Sequence, residues 1–214
     1  MIRGYYFITD GELSKNGNLS DVKNAIEAGV NVVQYRSKMA KTESMIKEAK
    51  TLKEICAGRA LFIINDIVGV ALSVDADGVH VGQGDMPYET ARKLLGKDKI
   101  IGVTAHNLKE AMAAEKRGAN YLGVSPVFST TTKKDAGKPC GVELIREIKK
   151  SCNIPVAAIG GISLDNVKEV VCAGADAVCA ISAVVTKDGV KEEIEKFQSF
   201  FKQGKERAYV SGCN

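Results

Sequence analysis

The sequence predicts an α/β fold, a single-domain (β/α)8 barrel of the TIM type, on three observations. Short β-rich apolar runs alternate with helical segments eight times; no linker or composition break separates them; and 214 residues suit one such domain. An open doubly wound sheet is the rival arrangement, but eight even repeats in this length favour closure.

Taken in order, Tyr5 to Thr9 reads as the first strand, Leu19 to Gly29 as a helix stopped by its glycine, and Asn31 to Tyr35 as the second strand. Met45, Ile46, Ala49, Leu52 and Ile55 recur at helical spacing, which makes Thr42 to Cys56 a helix. Leu61 to Ile64 is the third strand, Ile67 to Ser73 a short helix and Val79 to Val81 the fourth strand. Pro87 sits in the first turn of a helix running to Leu95, where its missing N–H costs nothing. Ile100 to Thr104 is the fifth strand, and Asn107 caps a helix ending at Arg117. Tyr121 to Val124, the sixth strand, empties into the longest irregular stretch, Ser125 to Pro139; a loop of that length in a compact domain is usually functional. Val142 to Lys150 is helix, Val156 to Ile159 strand seven, Leu164 to Ala173 helix, Ala177 to Ile181 strand eight, and Val190 to Phe201 the last helix.

Composition narrows the function classes. With 45% apolar and 26% charged residues the chain is of the ordinary soluble globular kind. No apolar run approaches the roughly 20 residues that cross a bilayer, and the start M-I-R-G-Y-Y-F-I-T-D lacks the segments of a signal peptide, so a cytoplasmic address and no membrane partner are expected. A net charge of +4 without a Lys/Arg block or interleaved aromatics argues against nucleic acid. The six cysteines show no C-x-x-C pair or zinc spacing; reduced thiols are the simplest state, with Cys172 and Cys179 in the core and Cys213 exposed in a polar tail. A homo-oligomer is compatible with the sequence, which does not specify one.

In such barrels chemistry gathers at the carboxyl ends of the strands. Phe62 to Pro87 holds two apolar runs, each leading to a carboxylate, Asp66 and Asp85. Neighbouring strands lie about 4.8 Å apart, so these two carboxylates can converge on one hard cation, in the way proteins hold Mg²⁺ beside a phosphate. The same residues also suit a helix cap at Asp66 and a turn before Pro87 at Asp85.

In Q-Y-R-S-K, Gln34, Arg36 and Lys38 alternate onto one side of an extended segment and suit a diphosphate, or else form a solvated strand end. T-T-T-K-K, residues 130 to 134, offers hydroxyls and ammoniums as phosphate loops do, and would otherwise be a plain surface loop. Gly160 and Gly161, before Ser163, let backbone N–H groups approach an anion; Ser182 after strand eight completes the phosphate position common in barrels. His80 and His106 lie at strand ends, where each can be an acid or base, or a hydrogen-bonded structural residue. Neither has a triad partner and no G-x-S-x-G is present, which disfavours nucleophilic hydrolysis.

These motifs together resemble the thiamine-phosphate synthase family from near the first strand to the last helix. Q-Y-R-S-K is similar to that family's Q-x-R-x-K, I-I-N-D to its N-D, H-V-G-Q-G-D-M-P to its H-x-G-Q-x-D-x-P, and I-G-V-T-A-H-N to its I-G-V-S-x-H. G-A-N-Y-L-G-V-S-P-V-F-S-T-T-T-K-K resembles the stretch G-A-D-Y-x-G-x-G-P-x-F-x-T-x-T-K, and A-I-G-G-I and A-I-S-A match two late phosphate loops. The resemblance implies a (β/α)8 enzyme that joins a pyrimidine diphosphate to a thiazole phosphate and releases diphosphate.

Carried over residue by residue, it implies Mg²⁺ at Asp66 and Asp85. The pyrimidine diphosphate falls to Gln34, Arg36, Lys38, Asn65, Thr104 and Lys133, and the thiazole phosphate to Thr130, Thr132, Gly161, Ile181 and Ser182. Tyr35, Ser37, Thr131 and Gly160 lie in the same motifs and count with the substrate-binding residues; Arg36, Lys38, Thr104 and Lys133 are the expected catalytic groups. Thr104 stands where serine is commoner and keeps the hydroxyl, Ser129 replaces a frequent proline, and Ile67 and Gly69 replace polar or acidic residues. The implied mechanism is dissociative, through a pyrimidinylmethyl cation. The alternative is a thiazole tautomerase of the same superfamily, with His106 as the proton-transfer residue. A third reading is a non-catalytic phosphate-ligand sensor on a degraded barrel.

Overall fold

The computed structural model describes residues 2–132 and 137–207, with side chains to residue 202. Along the chain run β1 (Gly4–Tyr5), β2 (Phe7–Ile8), α1 (Asn18–Glu27), β3 (Val32–Tyr35), α2 (Thr42–Cys56), β4 (Leu61–Asn65), α3 (Val68–Ser73), β5 (Gly78–Val81) and α4 (Tyr88–Leu95). Then follow β6 (Ile100–Ala105), α5 (Leu108–Arg117), β7 (Tyr121–Val124), α6 (Gly141–Ser151), β8 (Val156–Ile159), α7 (Val167–Cys172), β9 (Ala177–Cys179), α8 (Ile181–Val185) and α9 (Val190–Arg207). The two short segments β1 and β2 are halves of one first strand. Gly4 and Tyr5 pair with Ala177 and Val178 of β9, while Phe7 and Ile8 pair with Val33 and Gln34 of β3. All pairings are parallel and the first strand bridges both ends of the sheet, so the expected (β/α)8 barrel forms.

Alternation along the strands separates two cores. Inside the barrel Ile2, Tyr6, Ile8, Val32, Ile63, Tyr121, Ala157, Ala177 and Cys179 pack together. The larger cluster fills the layer between sheet and helices, with Phe7, Tyr35, Phe62 and Ile64 facing helix residues such as Leu52, Ile145 and Phe197. Tyr5 faces this outer layer: its ring lies 5.4 Å from that of Phe197 and its hydroxyl donates to the Ala180 carbonyl.

A local sequence repeat ties neighbouring strands at their amino ends. Ala76-Asp77, Ala119-Asn120 and Ala175-Asp176 each precede a strand, and the Asx side chain accepts from a backbone N–H of the strand before it. These donors are Phe62 at 2.7 Å, Ile101 at 2.8 Å and Val156 at 2.8 Å. Each bond satisfies an amide that would otherwise start a strand unpaired.

The helices follow the predicted spacing with shifts of a few residues at their ends. Asn107 caps α5 by accepting from Glu110 N at 2.9 Å, as expected. One element differs in kind. The strand predicted through Ile181 ends at Cys179, and Ile181 and Ser182 open the extra helix α8. Cys179 is buried as expected, but Cys172 is only half-buried at the end of α7 rather than in the core; Cys56, Cys140, Cys152 and Cys179 are free. Cys213 lies outside the described residues. Among the described residues no helix is long and apolar enough to cross a membrane.

Asp21 in α1 is fully buried and accepts from the Ser14 hydroxyl at 2.6 Å, while its other oxygen, Oδ1, has no donor among the described residues. Burial raises its carboxyl above the ordinary 3.8, opposed by the Ser14 bond. A raised folded-state value means that the folded chain holds more protons than the unfolded one inside that window, so stability falls as pH rises through it. Asp21→Asn should therefore raise stability at pH 7, keeping the acceptor for Ser14 without the charge, and the gain should vanish below about pH 4. Urea denaturation of both proteins at the two pH values measures it.

Candidate active site

A cavity of about 500 Å³ opens at the carboxyl ends of the strands. Gln34, Arg36 and Lys38 all line it, as their alternation predicted. The same alternation turns Tyr35 away: its hydroxyl donates to Glu48 of α2 at 2.6 Å, within the outer layer. The structure brings neither Tyr35, Ser37 nor Thr131 to the cavity wall. Lys133 lies outside the described residues.

Arg36 does not reach the cavity as a bare cation. Its Nη1 lies 2.6 Å from Asp10 Oδ2, and both side chains are about nine-tenths buried. The backbone there is clamped as well, since Arg36 N donates to Thr9 Oγ1 at 2.9 Å and that hydroxyl donates to the Arg36 carbonyl. Asp10 thus holds one edge of a guanidinium that has five N–H donors in all. Asp10 ends the first strand in Y-Y-F-I-T-D, and no sequence spacing linked it to a residue 26 positions on.

Asn65 and Asp66, at the end of the neighbouring strand β4, and Asp85, in the loop after β5, line the cavity as well. Asp66 has φ of +62°, a left-handed conformation that Asp and Asn tolerate better than other residues with side chains. Its N–H donates to the His80 carbonyl at 2.8 Å, which fastens the end of β4 to β5. The N-cap position of helix α3 falls on Ile67, one residue beyond Asp66. Asp85 is exposed, and its Oδ2 accepts from Gly82 N at 2.7 Å, closing the turn before Pro87. The Asp85 turn reading and its place on the cavity wall therefore coexist. Two carboxylates among neutral oxygen donors form a hard set suited to Mg²⁺ completed by water or a ligand. Among the described residues no cluster of three or more His, Cys, Asp or Glu marks an all-protein metal cage.

Thr104 on β6 and Thr130 and Thr132 beyond β7 contribute hydroxyls. The loop reaches the rim because Val127 N and Phe128 N continue the β8 pairing by donating to Ile159 and Gly160 carbonyls at 2.9 and 3.0 Å. Gly161 has φ of +63°, and a Cβ there would stand 2.4 Å from the Ser129 carbonyl oxygen, so only glycine lets the two loops meet. Gly160, Ile181 and Ser182 line the same side. Because Ile181 and Ser182 sit in the first turn of α8, their N–H groups have no partner within the helix.

The histidines separate in character. His106 is exposed and joined through Nδ1 to Glu110 at 3.0 Å, beside the Asn107 cap. Burial alone would raise the Glu110 carboxyl, but hydrogen bonds from His106 N–H, the His106 ring and Asn107 hold it below its ordinary value. His80 points into the barrel between Tyr121 and Thr104. Tyr6 and Tyr121, buried and lining the cavity floor, escaped sequence reasoning. The available signal was the pair Tyr5-Tyr6 in a strand, where one ring must face the lumen.

Fold and site define a class: a (β/α)8 barrel whose rim gathers cations, hydroxyls, loop amides and two carboxylates around a ligand-sized cavity. The particular family follows from comparison with known proteins. The family model described as thiamine monophosphate synthase matches residues 5–184. The thiamine-phosphate synthase of Methanosarcina mazei is 56% identical over 193 residues, covering 90% of this chain and 80% of that one. The thiamine-phosphate synthase of Chloroflexus aurantiacus is 47% identical over 206 residues, covering 95% and 94%. A solved thiamine phosphate pyrophosphorylase from Pyrococcus furiosus superposes with a TM-score of 0.86 at 41% identity, over 94% of this chain and 96% of that one. The chain belongs to the thiamine monophosphate synthase family.

The Arg36 pairing yields a stability test. Arg36→Ala should destabilise the fold by about 3 to 5 kcal/mol, because it strands the Asp10 carboxylate in a buried site. Arg36→Ala combined with Asp10→Asn should recover most of that loss. Denaturant midpoints of the single and double variants form the cycle.

Proposed function

We infer that the chain is a thiamine-phosphate synthase, a transferase that condenses 4-amino-2-methyl-5-hydroxymethylpyrimidine diphosphate with a hydroxyethylthiazole phosphate to give thiamine phosphate and diphosphate. The observation that carries this reading is the convergence on one cavity of two anion-binding sides, Gln34-Arg36-Lys38 on one and Gly160-Gly161 with Ile181-Ser182 on the other. A tautomerase would need only the second. His106, its expected proton-transfer residue, is already committed to Glu110.

In the proposed reaction the pyrimidine diphosphate lies against Arg36, Lys38, Asn65 and Thr104, with Lys133 from the adjoining loop. The C–O bond to diphosphate breaks and its electron pair leaves on the bridging oxygen; the resulting pyrimidinylmethyl cation is relieved by its 4-amino group. The thiazole nitrogen then donates its lone pair to that carbon, and the new C–N bond leaves the positive charge on the thiazolium product. Thr130, Thr132, Gly161, Ile181 and Ser182 orient the thiazole phosphate for this attack. No protein nucleophile is required, because charge stabilisation and positioning supply the catalysis. Mg²⁺ held by Asp66 and Asp85 would neutralise charge on the departing diphosphate. Both substrates are phosphorylated and membrane-impermeant, which favours a cytoplasmic setting. Incubating the pure protein with both substrates and Mg²⁺ should yield thiamine phosphate; no product from the complete mixture would reject the reading.

Asp85→Asn should lower turnover by about 10²-fold or more, the scale of one preorganised electrostatic contact, with little change in melting temperature because the residue is exposed. Steady-state rates across a Mg²⁺ titration test it, and near-normal activity at excess Mg²⁺ would reduce Asp85 to a turn residue.

Ser182→Asp places a negative charge in the first turn of α8. Like-charge repulsion should weaken the thiazole phosphate and leave pyrimidine diphosphate binding nearly unchanged. Calorimetric titration with each substrate alone distinguishes the two sides, and equal weakening of both would dissolve the assignment.

A further inference from the structure

Beneath the charged rim runs a continuous chain of hydrogen bonds that crosses the barrel. Gln34 Nε2 donates to Tyr6 Oη at 2.9 Å, and the Tyr6 and Tyr121 hydroxyls are 2.6 Å apart. Tyr121 Oη lies 3.0 Å from His80 Nδ1, and His80 Nε2 lies 3.0 Å from Thr104 Oγ1. The space for it is made by glycine: a Cβ at Gly102 would stand 2.1 Å from the Tyr121 ring and 2.5 Å from His80 Nδ1. Burial raises both phenols above their ordinary values, so each remains a hydroxyl with one proton to give.

That count fixes a direction. With Gln34 as donor, Tyr6 Oη accepts the amide proton and gives its own to Tyr121. Tyr121, accepting from Tyr6, gives its proton to His80 Nδ1. The neutral ring then carries its proton on Nε2 and donates it to Thr104 Oγ1. Thr104, having accepted from His80, keeps its own proton for the cavity. The reverse polarity requires the Gln34 amide to turn and offer Oε1 to Tyr6. His80 would then bear its proton on Nδ1, and Thr104 would spend its hydroxyl proton on Nε2. Its lone pairs alone would then face the cavity, where they would repel an anion.

We propose that Gln34, Tyr6, Tyr121 and His80 act as positioning residues that polarise Thr104 into a hydrogen-bond donor toward an oxygen of the departing diphosphate, with His80 held as the Nε2–H tautomer. The direction of the chain follows from the Gln34 amide donating to Tyr6, while the identity of the oxygen rests on the synthase reading above. Because negative charge on that oxygen grows as the C–O bond breaks, the donated bond is stronger in the transition state than in the bound substrate.

The chain has only two histidines, His80 and His106, so ¹⁵N-histidine labelling gives a spectrum simple enough to assign through a His106→Gln variant. In the ligand-free protein at neutral pH, a two-bond proton–nitrogen correlation should show His80 with a protonated Nε2 and a pyridine-type Nδ1. A protonated Nδ1, or a doubly protonated ring, overturns the proposal. Tyr121→Phe keeps the ring packing but removes the link. It should abolish the tautomer preference and lower kcat about tenfold, as expected for loss of one oriented charge-assisted bond, with KM for the thiazole phosphate unchanged. Thr104→Val should lower kcat at least as far and Thr104→Ser should restore it. In the Thr104→Val background Tyr121→Phe should have no further effect, since its influence passes through Thr104. Tyr121→Phe acting fully in that background, or leaving tautomer and kcat unchanged while lowering only the melting temperature, would reduce the chain to a structural element. Should the expected tautomer appear but the wild-type protein form no thiamine phosphate, the polarity of the chain survives and the substrate reading fails.

Discussion

Closure of the parallel sheet by its divided first strand is the constraint on which the remaining structure depends. Tyr6 falls between the two halves, so Gly4 and Tyr5 bond to β9 while Phe7 and Ile8 bond to β3. Closure leaves no sheet edge and makes the lumen a place where buried polar groups must find partners in the protein. Strand alternation then decides which residues face that lumen. Tyr35, one position from Gln34, is turned into the helix layer, while Gln34 meets Tyr6 inside. One register thus places the apolar inner core, the polar floor above it and the charged rim at the strand ends.

Much of this was legible in sequence because it is written locally. The spacing of apolar residues in Thr42 to Cys56 gave α2 to the residue, and Asn107 announced its own cap. The candidate rim was legible for a related reason: in a barrel, the residue following a strand has a known address, so Asp66, Asp85 and Thr104 could be placed without coordinates. The end of β9 was not legible. Ala-Val-Cys-Ala-Ile is a short apolar run that fits a strand or the start of a helix equally, and only the structure shows the change at Ala180. Contacts between distant strands were also hidden. Asp10 and Arg36 are brought together by the pairing of β2 with β3, and Tyr6 and Tyr121 meet across the lumen.

The site divides its work by depth, and the division has an electrostatic reason. At the rim, Lys38 and Asp85 are exposed and Asp66 is half-buried, so full charges can be held there at moderate desolvation cost. The floor is different. A charge at the position of Tyr6 or Tyr121 would be buried without water, and the sequence supplies phenols, an amide and an imidazole instead. These groups can still orient one another through shared protons. Arg36 shows the boundary between the two regimes: where the guanidinium enters the buried layer it acquires Asp10, and its remaining donors are left to the cavity. The cost of pairing is some loss of positive field at the rim. The gain is a cation held in one orientation before any anion arrives, and preorganisation of that kind is what gives an electrostatic contact its strength.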